Sequence, residues 1–337
     1  MLNLSRNYGI VRLQSVAAWR ERSGAEIRIA VIGAGAMGSL YGGYLSRQND
    51  VLLVDVNPAQ VQAVNEKGLL IHEPDDSVMV CHPRAASDTK GMQPADLVML
   101  FVKSMYSEAA LESNRSLIGP DTLLMTLQNG SGHEEVLLRF ADRAHIVIGT
   151  TQHVCGVLGA GEIRHAGSGR TCIGVLEGDV QRLAPVAQAF EACGLETTCE
   201  AQVQRLVWNK LFTNVSASVL TGILQVPLGE IARSSHAWAL CETLVREAAS
   251  VAAGDGYTFD VEAKIAEVRA VCENSPKGLT SIYADLRSGR RTEVDAISGS
   301  VVRAGQRNGV PAPTHEAMVA LVHALEDKAA HQKDTNG

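Results

Sequence analysis

Apolar and polar positions change period near residue 200, and the change predicts two kinds of architecture. Before it, short apolar runs alternate with segments of helical period. Strands are read at residues 27–32, 51–54, 68–71, 78–81, 97–102, 122–127, 146–151, 162–165, 171–176 and 196–199, with helices at 39–45, 58–67, 106–117 and 180–192. The run 97–102 is apolar throughout, as a strand covered on both faces of a parallel sheet must be. After residue 201 only the helical period remains, at 203–219, 236–253, 261–272, 281–288 and 293–308, with breaks at Gly222, Gly254-Asp255-Gly256 and Ser275-Pro276. The expected fold is an α/β Rossmann domain with a doubly wound, mostly parallel sheet over 27–200, then an all-helical substrate and dimerisation domain over 201–330. The active site is expected in the cleft between them.

The first strand runs straight into Gly33-Ala34-Gly35-Ala36-Met37-Gly38 and then into helix. A G-x-G-x-x-G sequence carries weight only in this strand-to-helix setting. Gly33 allows the sharp turn, Gly35 lets backbone amides approach a pyrophosphate, and Gly38 lets the helix pack closely. The amides of the helix start, at Ala36 and Met37, face the phosphates with the positive end of the helix dipole. Asp55 ends the second strand, 22 positions beyond Gly33, where an acidic side chain bonds the adenosine ribose hydroxyls and repels a 2′-phosphate. A nicotinamide dinucleotide is the expected cofactor, and Asp55 favours NADH over NADPH.

Composition removes other classes. The chain has 337 residues, 46% of them hydrophobic and 20% charged, with a formal net charge of −7 and no dense Lys/Arg run. That leaves no basic footprint for nucleic acid or an anionic membrane, and no apolar stretch approaches membrane-spanning length. The seven cysteines are scattered without a C-x-x-C pair, which suits reduced thiols, and the ten histidines lack zinc spacing. No metal is expected. Residues 1–26 hold Arg6, Arg12, Arg20 and Arg22 against Glu21 and Glu26, with some likeness to a transit peptide. Without a cleavage pattern they are read as a poorly ordered extension, and a cytoplasmic location is expected. His153 and His165, with no partner visible in the sequence, are read as surface or turn histidines.

Two polar groups stand at expected strand ends, Lys103 after 97–102 and Asn129-Gly130 after 122–127, where doubly wound sheets meet their ligands. In the helical half, Lys210, Asn214 and Ser218 recur at i, i+4 and i+8 and so should share one helix face, while Leu206, Leu211 and Val215 belong to the face that packs. Reduction of a ketone by hydride needs a proton donor at the carbonyl oxygen, and a partly buried lysine has its pKa lowered toward the working range. A snorkelling surface lysine is the alternative for Lys210. Thr292 and Asp295 are spaced as a capping box, which puts Glu293 in the first turn of a helix, and Ser281 reads as another helix-start hydroxyl.

Taken together, the glycine loop, Lys103, Asn129-Gly130, Lys210-x-x-x-Asn214 and Ser281…Arg291-Thr292-Glu293-Val294-Asp295 resemble the ketopantoate reductase (2-dehydropantoate 2-reductase) family over about residues 27–325. The resemblance implies reduction of 2-dehydropantoate to pantoate on the route to coenzyme A. It implies Lys210 as general acid with Glu293 beside it, Asn129, Asn214, Ser218 and Ser281 as substrate-orienting groups, and Lys103 and Asn129 near the cofactor. Two positions depart from the family pattern. Ser218 stands where well-known members carry a second asparagine, which leaves another 2-keto acid or an imine open as substrate, and Asp55 stands where NADPH-using members carry a basic residue. A non-catalytic nicotinamide-binding protein is the remaining reading. The small-molecule keto acid is the expected partner, with a homodimer formed through the helical domain.

Overall fold

The structure is a computed structural model that describes residues 27–336; the expectation for residues 1–26 lies outside the described residues. Among the described residues twelve strands are found: β1 (Arg28–Ile32), β2 (Asp50–Val54), β3 (Leu69–His72), β4 (Val78–Cys81), β5 (Arg84–Ala86), β6 (Leu97–Leu100), β7 (Leu123–Thr126), β8 (Ile146–Thr151), β9 (Val154–Gly159), β10 (Glu162–Gly167), β11 (Thr171–Val175) and β12 (Thr197–Cys199). The α-helices are α1 (Ala36–Leu45), α2 (Pro58–Lys67), α3 (Ser107–Ser113), α4 (Glu134–Leu137), α5 (Ala184–Ala192), α6 (Val203–Thr213), α7 (Val219–Leu224), α8 (Leu228–Arg233), α9 (Ser235–Gly254), α10 (Val261–Asn274), α11 (Ser281–Arg287), α12 (Ser298–Asn308) and α13 (Pro313–Asn336). The chain divides into two compact units, and the division is not one cut. The first takes residues up to Val102 with Ala109–Thr126 and Phe140–Ala201; the second takes Gln202 onward with Lys103–Glu108 and Leu127–Arg139.

The first unit is built on an eight-stranded sheet in the order β12-β11-β8-β7-β6-β1-β2-β5. Pairing is parallel throughout except between β8 and β11. The sequence runs outward from β1 in both directions, so the carboxyl end of β1 is the switch point at which such sheets bind ligands. Strands β6 and β7 are buried at every position, as strands covered on both faces of a parallel sheet are. A second sheet, β4-β3-β10-β9, was not separable in the sequence from the first. Helix α1 lies between the two. A Cβ at Gly42 would stand 2.4 Å from Leu53 of β2, and one at Gly43 would stand 2.8 Å from Ile71 of β3.

The small sheet also corrects the reading of His153 and His165, which are buried and partnered. His165 Nδ1 lies 2.8 Å from Glu73 Oε2, its Nε2 lies 3.0 Å from His153 Nδ1, and Tyr44 donates to Glu73 Oε1. The pairing of β3 with β10 brings Glu73 to His165 from 92 positions away, which no local pattern reveals.

In the second unit, Trp238, Cys241, Leu244, Val245, Ala248 and Ala252 recur at helical spacing and form the buried stripe of α9. Each large apolar side chain in such a core contributes about 2 kcal/mol by leaving water. Ser234 caps α9 by accepting from Ala237 N. The helix read at 203–219 continues to Leu224, with a π-helical turn at Asn214–Ser218 between α6 and α7. The expected break at Gly222 is instead a close approach, since a Cβ there would stand 2.2 Å from Ile282. Three helices lie outside the sequence reading, α4, α8 and α13. Among its described side chains, helix α13 buries only Met318, Val322 and His315 strongly, so its apolar pattern is sparse, and its first amides are bound by the Glu247 carboxylate.

Candidate active site

In the first unit the three loop glycines do three different things. Gly33 has φ +98, and a Cβ there would stand 2.7 Å from Val102 N. A Cβ at Gly38 would stand 1.8 Å from Gly33 O, so no larger residue fits the first turn of α1. Gly35, at the N-cap, has nothing within 4 Å of its Cβ position. Its open side is the cradle that a side chain would fill. The helix starts at Ala36, three residues before the expected position, so Ala36 and Met37 supply first-turn amides that have no acceptor within the helix. Asp55 is bound to the loop: its Oδ2 accepts from Ala34 N and its Oδ1 from Asn57 N, each at 2.8 Å. The residues present therefore fit a dinucleotide.

The second unit gathers most of the remaining expected residues around one loop. After Leu127 the chain turns through Asn129-Gly130-Ser131-Gly132-His133 into α4. Gly130 has φ +106, and a Cβ there would stand 2.2 Å from Ala296 O, to which Ser131 N donates at 2.9 Å. The loop thus rests on the segment that carries Glu293. From α6, Lys210 Nζ donates to Asn129 Oδ1 at 2.8 Å. Lys210 is partly buried, and the loss of water around its ammonium lowers its pKa to about 8. A lysine with that pKa can donate a proton near neutrality.

Glu293 is not in a helix. Residues 293–297 form turns, with Ala296 N and Ile297 N both donating to Glu293 O, and α12 begins only at Ser298. The expected capping box is replaced by tertiary bonds: Thr292 N and Oγ1 both donate to Glu326 Oε1 of α13, each at 2.7 Å. Glu293 Oε1 accepts from Ser104 N at 2.8 Å. It lines a groove of about 220 Å³ with Ser104, Ser131, His133, Thr292 and Arg303. The next residue to Ser104, Lys103, makes an ion pair with Asp285 at 2.9 Å and donates to Arg291 O at 2.8 Å.

The polar row on α6 is altered by the π turn. One extra residue in a helical turn rotates everything after it by about 100°. Asn214 opens that turn and Ser218 closes it. Ser218 is buried, and its carbonyl accepts from Thr221 Oγ1 at 2.7 Å. Ser281 is exposed at the start of α11, and the capping hydroxyl is Thr280, which accepts from Tyr283 N. Sequence reasoning missed Asp285, Ser104, His133 and Glu326. Only His133 left a local sign, its spacing of four from Asn129.

A glycine-loop α/β unit, with a helical unit that carries a lysine of lowered pKa, defines a nicotinamide-dependent oxidoreductase. Two family models match, "Ketopantoate reductase PanE/ApbA" over residues 29–178 and "Ketopantoate reductase PanE/ApbA C terminal" over residues 202–326, and the chain belongs to this family. It is an oxidoreductase acting on CH–OH groups. It is 33% identical over 303 residues to a 2-dehydropantoate 2-reductase of Halobacterium salinarum, covering 89% of this chain and 99% of the relative. A 2-dehydropantoate 2-reductase of Lactococcus lactis is 28% identical over 307 residues, covering 89% and 98%. Among solved structures, the ternary structure of D-mandelate dehydrogenase with NADH and anilino(oxo)acetate is similar with a TM-score of 0.84 and 32% identity, over 90% of this chain and 99% of that one. A PanE/ApbA family ketopantoate reductase from Ralstonia eutropha has a TM-score of 0.82 and 29% identity, over 90% and 100%.

Proposed function

We propose that the protein reduces a 2-keto acid with NAD(P)H, with 2-dehydropantoate as the foremost substrate and pantoate as the product. The reading is carried by Lys210, whose ammonium is held on Asn129 and has its pKa lowered by burial. The names of its relatives supply the substrate. The nicotinamide, when bound, supplies a hydride to the carbonyl carbon. Lys210 protonates the oxygen that becomes the alcohol, and Glu293 is the carboxylate that works beside it. Asn129, Asn214, Ser218 and Ser281 orient the keto acid. Gly33, Gly35, Ala36, Met37, Gly38, Asp55, Lys103 and Asn129 serve the cofactor. In domain terms, 27–200 binds the dinucleotide and 201–330 provides the substrate and dimer surfaces of a cytoplasmic homodimer.

Asp55 favours NADH. Its carboxylate is held on the loop amides at the place where a 2′-phosphate would bring like charge, and repulsion there costs more the less water intervenes. A second substrate reading rests on Ser218 and on the similarity to D-mandelate dehydrogenase: an aromatic or branched 2-keto acid with a bulkier side chain. The deciding experiment is a matrix of NADH and NADPH against 2-dehydropantoate, phenylglyoxylate and shorter 2-keto acids. The pantoate reading requires 2-dehydropantoate to have the highest kcat/KM; a far lower rank overturns it.

A further inference from the structure

The residue that receives the Lys210 ammonium is itself held by a side chain to which no role has been assigned, His133. Asn129 uses two acceptors. Its Oδ1 accepts from Lys210 Nζ at 2.8 Å, and its backbone carbonyl accepts from His133 Nε2 at 2.9 Å. A carbonyl has no proton to give, so His133 Nε2 must carry the hydrogen. Burial lowers the His133 pKa, and Arg303 acts in the same direction, while the bond to Asn129 and the Glu293 carboxylate oppose. The net direction is downward, so the ring is neutral near pH 7 and is fixed as the Nε2–H tautomer.

Local capping does not account for this geometry. His133 immediately precedes α4, yet its side chain makes no bond to the amides of that helix. It turns back to Asn129 instead. The remainder of the loop is anchored separately: Gly130 is pressed under Ala296 O and Ser131 N donates to the same oxygen. The Asn129 carbonyl and Gly130 N form one planar peptide unit, so the His133 bond and the Gly130 and Ser131 contacts together hold the backbone from which the Asn129 side chain projects.

We propose that His133 is a positioning residue for the proton-donating lysine, its Nε2–H holding the Asn129 carbonyl so that Oδ1 meets the Lys210 ammonium. This rests on the reading of Lys210 as the general acid. The bond from Lys210 to Asn129 favours the charged form of the lysine. Loosening Asn129 therefore moves the lysine pKa further down, and the acid is lost at a lower pH.

The test is the pH dependence of kcat/KM for 2-dehydropantoate with NADH in wild type, His133→Leu and His133→Gln, with Lys210→Ala alongside. The Leu variant is expected to lose about tenfold to a hundredfold in kcat. Its alkaline limb should move down by about one pH unit. The Gln variant, whose amide nitrogen reaches near the Nε2 position, is expected to recover most of the rate and return the limb toward its wild-type place. A Leu variant whose limb stays where it is in wild type overturns the proposal, whatever its rate. Nitrogen-15 spectra of the wild-type histidines give a second measurement that needs no variant to fold: an Nε2–H signal for His133 supports the proposal, and an Nδ1–H tautomer overturns it. Lys210→Ala with undiminished turnover would instead sink the acid reading, while the tautomer of His133 would still stand as measured.

Discussion

Lys210 Nζ lies 2.8 Å from Asn129 Oδ1, across 81 positions of sequence, and its ammonium is lowered by burial to a pKa of about 8. The pair joins a helix of the second unit to a loop that interrupts the α/β part of the sequence. Removing the amine should separate chemistry from binding. Lys210→Ala is expected to lower kcat by about 10²–10⁴-fold while the Kd for NADH, measured by fluorescence quenching, changes little. Equal losses in both would show that Lys210 holds the fold or the cofactor instead.

The same pKa gives a pH profile. A general acid acts while protonated, so kcat/KM for reduction should be level below about 8 and fall tenfold per unit above it. Steady-state rates across that limb check the sign. A rate that rises through this range would assign the lysine to the deprotonated form in the rate-limiting step.

Asp55 should govern cofactor choice. Asp55→Asn removes the charge and keeps an acceptor for Ala34 N, so the loop bond at 2.8 Å can persist. The ratio of kcat/KM for NADPH to that for NADH is expected to rise about tenfold or more. An unchanged ratio would mean that the 2′-position lies away from this carboxylate.

His323 stands between two carboxylates, 3.0 Å from Glu326 Oε2 and 3.0 Å from Asp295 Oδ1. Burial disfavours its charge, but the two hydrogen bonds outweigh that and raise its pKa. A raised folded-state pKa contributes stability that is full below the unfolded value of about 6.5 and is lost as pH rises through the folded value. His323→Gln should therefore lower the Tm at about pH 6 more than at about pH 9. A deficit that grows with pH would contradict the arrangement.

The glycine loop shows how far local chemistry reaches. Gly33, Gly35 and Gly38 are legible because strand, turn and helix lie within one stretch and each glycine answers a local steric demand. Lys210 was legible as a polar interruption on an apolar helix. Its partner Asn129 was legible only as a residue at a strand end, and His133 and Asp285 were not singled out, because their partners come from other segments. Glu293 was placed in a helix by a capping pattern that Thr292 instead turns toward Glu326, a tertiary competitor for the same donors.

By itself the sequence determined the two architectures, the dinucleotide loop with Asp55, and the family, since hydrophobic period and short-range turn chemistry act within a few residues. The tertiary structure decided what depends on distant pairing. It made the second sheet from β3 and β10, buried His153 and His165 beside Glu73, and set Lys210 on Asn129. Those contacts join residues dozens of positions apart, and packing rather than local preference selects which polar groups meet.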